Sequence, residues 1–192
     1  MGKTTIRRRK YKHRNKLGNP STACHRKTYE KIKKAFKKAQ KEQKEITCNK
    51  ILKILNCFPN FLGCFAQDTI DSLFLKSLPC IFLVNIDSSN KPGSHWIVLA
   101  AFDKTLEIFD PLGFKIYNWK SVPCNLLNFI HTESLSRQLL ISPQIQSLSS
   151  NLCAFYCMYF VYQRHKKSFH HIISQFIDTD KNDELLFTRL SN

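Results

Sequence analysis

Residues 94–113 read SHWIVLAAFDKTLEIFDPLG, and the pattern of this stretch decides the fold. SHWIVLAAF at 94–102 is almost unbroken in its apolar character, TLEIF at 105–109 alternates, and the short FDK at 102–104 between them predicts a hairpin. On the N-terminal side, PCIFLVNI at 79–86 is another continuous apolar run, joined to the first through the turn-forming SSNKPG at 88–93. Runs of this kind suit strands covered on both faces, so three neighbouring strands of a buried sheet are expected. On the C-terminal side, RQLLIS at 137–142 predicts a short strand stopped by Pro143. LCAFYCMYFVYQRH at 152–165 is too long and too uniformly apolar for a strand and predicts a buried helix, with Asn151 as its cap after Ser149 and Ser150. Further helices are expected over Trp119–His131, 168–177 and 182–190. The fold class is therefore α+β, a mainly antiparallel or mixed central sheet flanked by helices.

The N-terminal quarter has a different character. The formal net charge is +16, yet residues 1–50 alone hold 18 Lys and Arg against three Glu, so nearly all the excess lies there. Residues 1–24 contain little that could be buried and read as a flexible arm. TYEKIKKAFKKAQKEQKE, within about 26–45, spaces Tyr29, Ile32 and Phe36 for one face of a lysine-rich helix. That stripe can dock on a body, or the basic face can meet nucleic acid or a membrane surface. A basic arm over 1–46 and a globular domain over 47–192 are the expected units, with nucleic acid as the partner of the arm. Thr47 should cap a short helix, NKILKILN, and Pro59 and Gly63 should mark a loop carrying Phe58, Phe61 and Phe65. No run approaches the roughly 20 apolar residues of a membrane span, and no apolar signal core follows the basic start. The expected setting is intracellular, and the eight cysteines are expected as reduced thiols. Neither Cys57-x6-Cys64 nor Cys153-x3-Cys157 has the short paired spacing of a structural zinc site.

Cys153 falls in the first turn of the predicted buried helix, where unpaired N–H groups and the helix dipole favour a thiolate. Cys157, one turn further on, should face the interior. Of the seven histidines, His95 alone lies at a predicted core strand, between Gly93-Ser94 and Trp96. The hairpin should set residues 95–96 beside 109–110, bringing Asp110 within reach of the imidazole as its orienting acceptor. Each residue also has a plain structural reading: a buried thiol, a core histidine bonded to a carbonyl, and an Asp that opens a turn. For a side-chain amide donor to an oxyanion, the loop before the helix offers Gln144 and Gln146.

The order His-Trp, acid, Gln, Cys resembles the adenovirus endopeptidase family of cysteine proteases. NCFPNFLGCF at 56–65 resembles its early F-L-G loop, SHWIVLAAF its His-Trp strand, and IFDPLGF at 108–114 its acid-P-x-G-F turn. In QSLSSNLCAFYCMYF, the seven-residue step from Gln146 to Cys153 matches the family spacing. The resemblance covers roughly residues 50–165. It implies a papain-like core and an endopeptidase that processes precursor polypeptides of a virus or mobile element. The implied roles are Cys153 as nucleophile, His95 as base, Asp110 as its orienter, and Gln146 with the Cys153 N–H as oxyanion donors, with no cofactor needed for the chemistry. It also implies DNA and a basic peptide as activators, and the host nucleus and virion as locations. Asp110 stands where the family usually has Glu, and Ala154 where it usually has Gly. Two rival functions fit parts of the sequence: a protease that removes ubiquitin-like modifiers, and a nucleic-acid-binding packaging protein without peptidase activity.

Overall fold

The computed structural model describes residues 17–42, 46–72, 75, 77–113 and 122–191. Five strands form one mixed sheet in the order β1-β2-β3-β4-β5: Phe61–Ala66, Cys80–Asn85, Trp96–Ala101, Thr105–Phe109 and Gln138–Ile141. β2, β3 and β4 are antiparallel neighbours, as the hairpin pattern predicts, while the edge strands β1 and β5 run parallel to β2 and β4. Six α-helices are described: α1 (Thr22–Glu42), α2 (Cys48–Leu55), α3 (Cys124–Ser134), α4 (Cys153–Arg164), α5 (Phe169–Ile173) and α6 (Asn182–Ser191).

Successive strand residues point to opposite faces, and here each face meets its own apolar layer. Ile81, Leu83, Val98, Ala100 and Phe109 pack toward α1, α2 and α4; Phe82, Val84, Ile97, Leu99 and Ile108 pack toward α3. Burial on both sides explains why β2 and β3 are apolar at nearly every position rather than at every second one. α4 carries the largest share of the first layer, with nine consecutive buried residues from Cys153 to Val161 and the Phe160 ring stacked on Phe109 at 4.3 Å.

Several local expectations are corrected by tertiary packing. The Phe-rich segment after α2 is the edge strand β1 rather than a loop, because Gly63, at φ 131, lets the chain make an irregular step and still pair with β2. The start expected at Trp119 lies outside the described residues; the described helix α3 begins at Cys124, just after Pro123. Thr47 occupies the cap position of α2 but makes no side-chain cap bond. Leu152, not Asn151, caps α4.

The basic N-terminal helix is part of the body. Ile32 and Phe36 of α1 are buried in the same core cluster as α4, and even Leu17 is buried there, so a boundary near 47 does not separate two packing units. The docked stripe was the plainest of the readings for this helix, and its opposite face keeps Lys27, Lys31, Lys34, Lys37, Lys38 and Lys41 exposed. A disulfide between Cys24 of α1 and Cys57 after α2 reinforces the docking, which corrects the expectation of reduced thiols for these two residues. With a sequence separation of 33 between its ends, it is expected to stabilise the fold by roughly 3–4 kcal/mol through the unfolded chain. Urea unfolding with and without reductant measures this: reduction should lower the midpoint of the unmutated protein but not that of Cys57→Ser. An unchanged midpoint on reduction would rule the contribution out.

Candidate active site

Gly93 sets the entry into β3. It sits at φ 94, a backbone conformation that favours glycine, and a Cβ there would come within 2.4 Å of the Asn85 side-chain nitrogen. The His95 carbonyl then accepts from the Ile86 N–H at 3.0 Å, and the residue is 7% exposed. On the neighbouring strand the ladder ends at Val98 opposite Phe109, so Asp110 leaves β4 level with Ile97, two residues along from His95. The expected side-by-side placement of 95–96 with 109–110 is therefore displaced by about two residues. Diagonal reach still suffices, and the His95 Nε2–H donates to Asp110 Oδ1 at 2.6 Å.

Asp110 is itself held at several points. Oδ1 also accepts from the Leu112 N–H at 2.9 Å, and the Ser142 hydroxyl bridges the Asp110 N–H and carbonyl at 2.8 and 2.9 Å. The turn-opening role and the His-orienting role, alternatives when the residue is read alone, coexist. Gly113, at φ 76, lets this turn lie against Gln144, where a Cβ would meet the Gln144 backbone nitrogen at 2.8 Å. The Pro111 carbonyl accepts from the N–H groups of both Ile145 and Gln146, at 2.9 and 2.8 Å. One turn thus anchors the carboxylate and the loop carrying Gln146.

Cys153 is the first residue of α4 and 9% exposed. With His95 Nε2 committed to the carboxylate, Nδ1 is the nitrogen left to face Cys153, which lines the same cavity as the ring. Because Leu152 offers no side-chain cap, no described hydrogen bond occupies the N–H groups of Cys153 or Ala154. Uncapped donors at a helix start suit a developing anion better than the expected Asn cap would. Cys157, by contrast, is fully buried and donates to the Trp96 carbonyl at 3.1 Å, and burial first, then the charge of Cys153, pushes its thiol well above the ordinary range.

Gln146 lines the same cavity, which has a volume of about 530 Å³, and is 1% exposed. Its Nε2 donates to the carbonyl and hydroxyl of Ser150 at 2.8 and 3.1 Å, and its buried Oε1 has no partner among the described residues. The amide is at the site but engaged by Ser150, so donation to a substrate oxyanion requires exchange of the Ser150 hydroxyl bond. Gln144 instead donates to the Gln146 carbonyl at 3.0 Å. Ser142, Ser150 and the Pro111 carbonyl escape a reading of the sequence, because backbone acceptors and isolated serines carry no pattern of their own. Among the described residues no cluster of three or more His, Cys, Asp or Glu could hold a metal ion, and no helix is long and apolar enough to cross a membrane.

Burial alone would lower the pKa of His95, but hydrogen bonds and charge from Asp110 and Cys153 outweigh it and raise the value to about 9. A folded value above the unfolded 6.5 stabilises the protein below pH 6.5, and that contribution disappears as pH rises through 9. His25 is lowered by burial and by Lys166, and His165 chiefly by burial, so their effect runs the other way and is lost as pH falls below 6.5. Thermal unfolding across pH 5 to 10 should therefore show a maximum near neutrality, and Asp110→Asn should flatten the alkaline limb. An alkaline limb identical in that variant would refute the His95–Asp110 contribution.

No family model matches the chain, and no curated protein matches it. Among solved structures it is similar to the central domain of an uncharacterized protein of Legionella pneumophila, at 12% identity and a TM-score of 0.38, over 68% of this chain and 84% of that chain.

Proposed function

We propose that the protein is a cysteine endopeptidase with a papain-like active-site arrangement. The single observation that carries this reading is the meeting of the His95–Asp110 pair, at the open end of the β3–β4 hairpin, with Cys153 at a helix start distant in sequence. In the proposed reaction the Cys153 sulfur attacks the scissile carbonyl carbon while His95 holds the proton. The Cys153 N–H and the Gln146 amide bear the negative charge on the carbonyl oxygen. As the C–N bond breaks, the proton passes from His95 to the leaving amine, leaving a thioester. Water then attacks the thioester, gives a proton to His95 and releases the carboxylic product, restoring the thiol. Asp110 keeps the imidazole aimed throughout.

The substrates fitting this reading are precursor polypeptides of a virus or mobile element. The exposed lysines of α1 continue the charge of residues 1–16 and favour a nucleic-acid partner, with DNA as an activator, in the host nucleus and the virion. The test is to compare the full chain and Cys153→Ala against a library of proteome-derived peptides, with and without DNA. New N-termini produced only by the unmutated chain are expected. Identical fragment patterns from the two proteins would sink the reading.

A further inference from the structure

The cavity at Cys153 is closed on one side by residues that belong to none of the elements carrying Asp110, His95 and Cys153. Ala39 and Gln40, near the end of α1, and Ile46, just before α2, line it together with His95 and Cys153. This wall is firmly attached. The Phe36 ring, one helical turn before Gln40, packs edge-on against Phe155 at 5.0 Å, two residues past Cys153, and the start of α1 is tied by Cys24–Cys57. Ile46 is 6% exposed and, with Trp96 and Gly93, also lines a second cavity of about 400 Å³. It therefore stands at the junction of the two spaces. Gln40 is exposed on the rim and offers a neutral donor and acceptor, the complement of a peptide group.

Resting on the proposed peptidase reading, we propose that Gln40 and Ile46 form a substrate-selecting wall contributed by the N-terminal segment. An extended polypeptide lies across the junction of the two cavities. The bulk of Ile46 limits the size of the side chain that passes there, and Gln40 hydrogen-bonds the polypeptide backbone. The basic helix is then a structural part of the cleft, and its removal would open one side of it.

Profiling the full chain, Gln40→Ala and Ile46→Ala against a peptide library tests the proposal, with iodoacetamide alkylation of Cys153 as the control for an intact site. Ile46→Ala should shift preference at one substrate position toward larger side chains by about tenfold in kcat/KM. Gln40→Ala should raise KM severalfold, with the smaller change in kcat. Ile46→Val, which removes less volume, should shift the preference in the same sense if Ile46→Ala does not fold. Cleavage with the same residue preferences and KM in all variants would overturn the wall and leave the peptidase reading standing. Absence of cleavage by the unmutated chain would overturn both.

Discussion

Replacing Cys153 or His95 by alanine should lower kcat for peptide cleavage by about 10⁴-fold or more, and combining the two should cost little beyond either alone. In the proposed peptidase, nucleophile and base act as one unit, so once the sulfur is gone the imidazole has nothing to activate. The same logic ranks the other positions. Asp110→Asn keeps the shape but lets the amide present a donor toward His95 Nε2, which opposes the ring orientation that the 2.6 Å bond now holds. Its defect should approach that of the His95 variant near neutral pH and be accompanied by a lower kinetic pKa, since the carboxylate is one of the groups raising His95 to about 9. Gln146→Ala removes one donor of the proposed oxyanion site and should cost about 10²–10³-fold in kcat. Single-turnover kinetics measure these steps separately from product release. A Cys153→Ala variant retaining a tenth of the activity would place the nucleophile elsewhere.

The largest stability effect is expected at the other end of α4. Glu107, on β4, is 3% exposed and receives two hydrogen bonds of 2.7 Å from the Nε and Nη2 of Arg164, whose guanidinium also lies 4.5 Å from the centroid of the Phe102 ring. Burial raises the Glu107 carboxyl pKa even against the pull of Arg164, so this charge depends on its partner. Arg164→Leu should therefore cost about 3–5 kcal/mol, whereas joining it to Glu107→Leu should recover most of the loss, because the stranded charge is removed as well. Urea unfolding of the two single variants and the double variant decides the matter. A loss below about 1 kcal/mol for Arg164→Leu would show that Glu107 is rehydrated and the pair is not structural.

The three residues Cys153, His95 and Asp110 differ in how openly the sequence announces them. Cys153 at a helix start and His95 at the head of a core strand follow from composition and periodicity, which report local structure. Asp110 followed from the hairpin, although the register placed it two residues further along than expected, because strand pairing is set by the whole ladder rather than by the turn alone. β1 was misread because its parallel pairing with β2 depends on a partner some 20 residues away and on the irregular step between Phe61 and Gly63, neither of which has a local signature. The cap of α4 was misread for a related reason. Asn151 is a strong capping residue in isolation, but the approach of the 142–152 loop puts Leu152 in that position.

By itself the sequence determined the apolar runs, their periods and the chemistry available at each position: three central strands, one long buried helix, a thiol, an imidazole and a carboxylate in a set order. Those features depend on neighbours a few residues apart, whose steric and hydrophobic preferences act in any context. Only the tertiary structure decided that the lysine-rich helix belongs to the core, that Cys24 bonds Cys57, and that the Gln146 amide is held by Ser150 within the Cys153 cavity. These depend on the meeting of segments whose order along the chain does not encode their distance in space, and that distance is set by how the two faces of the sheet are covered.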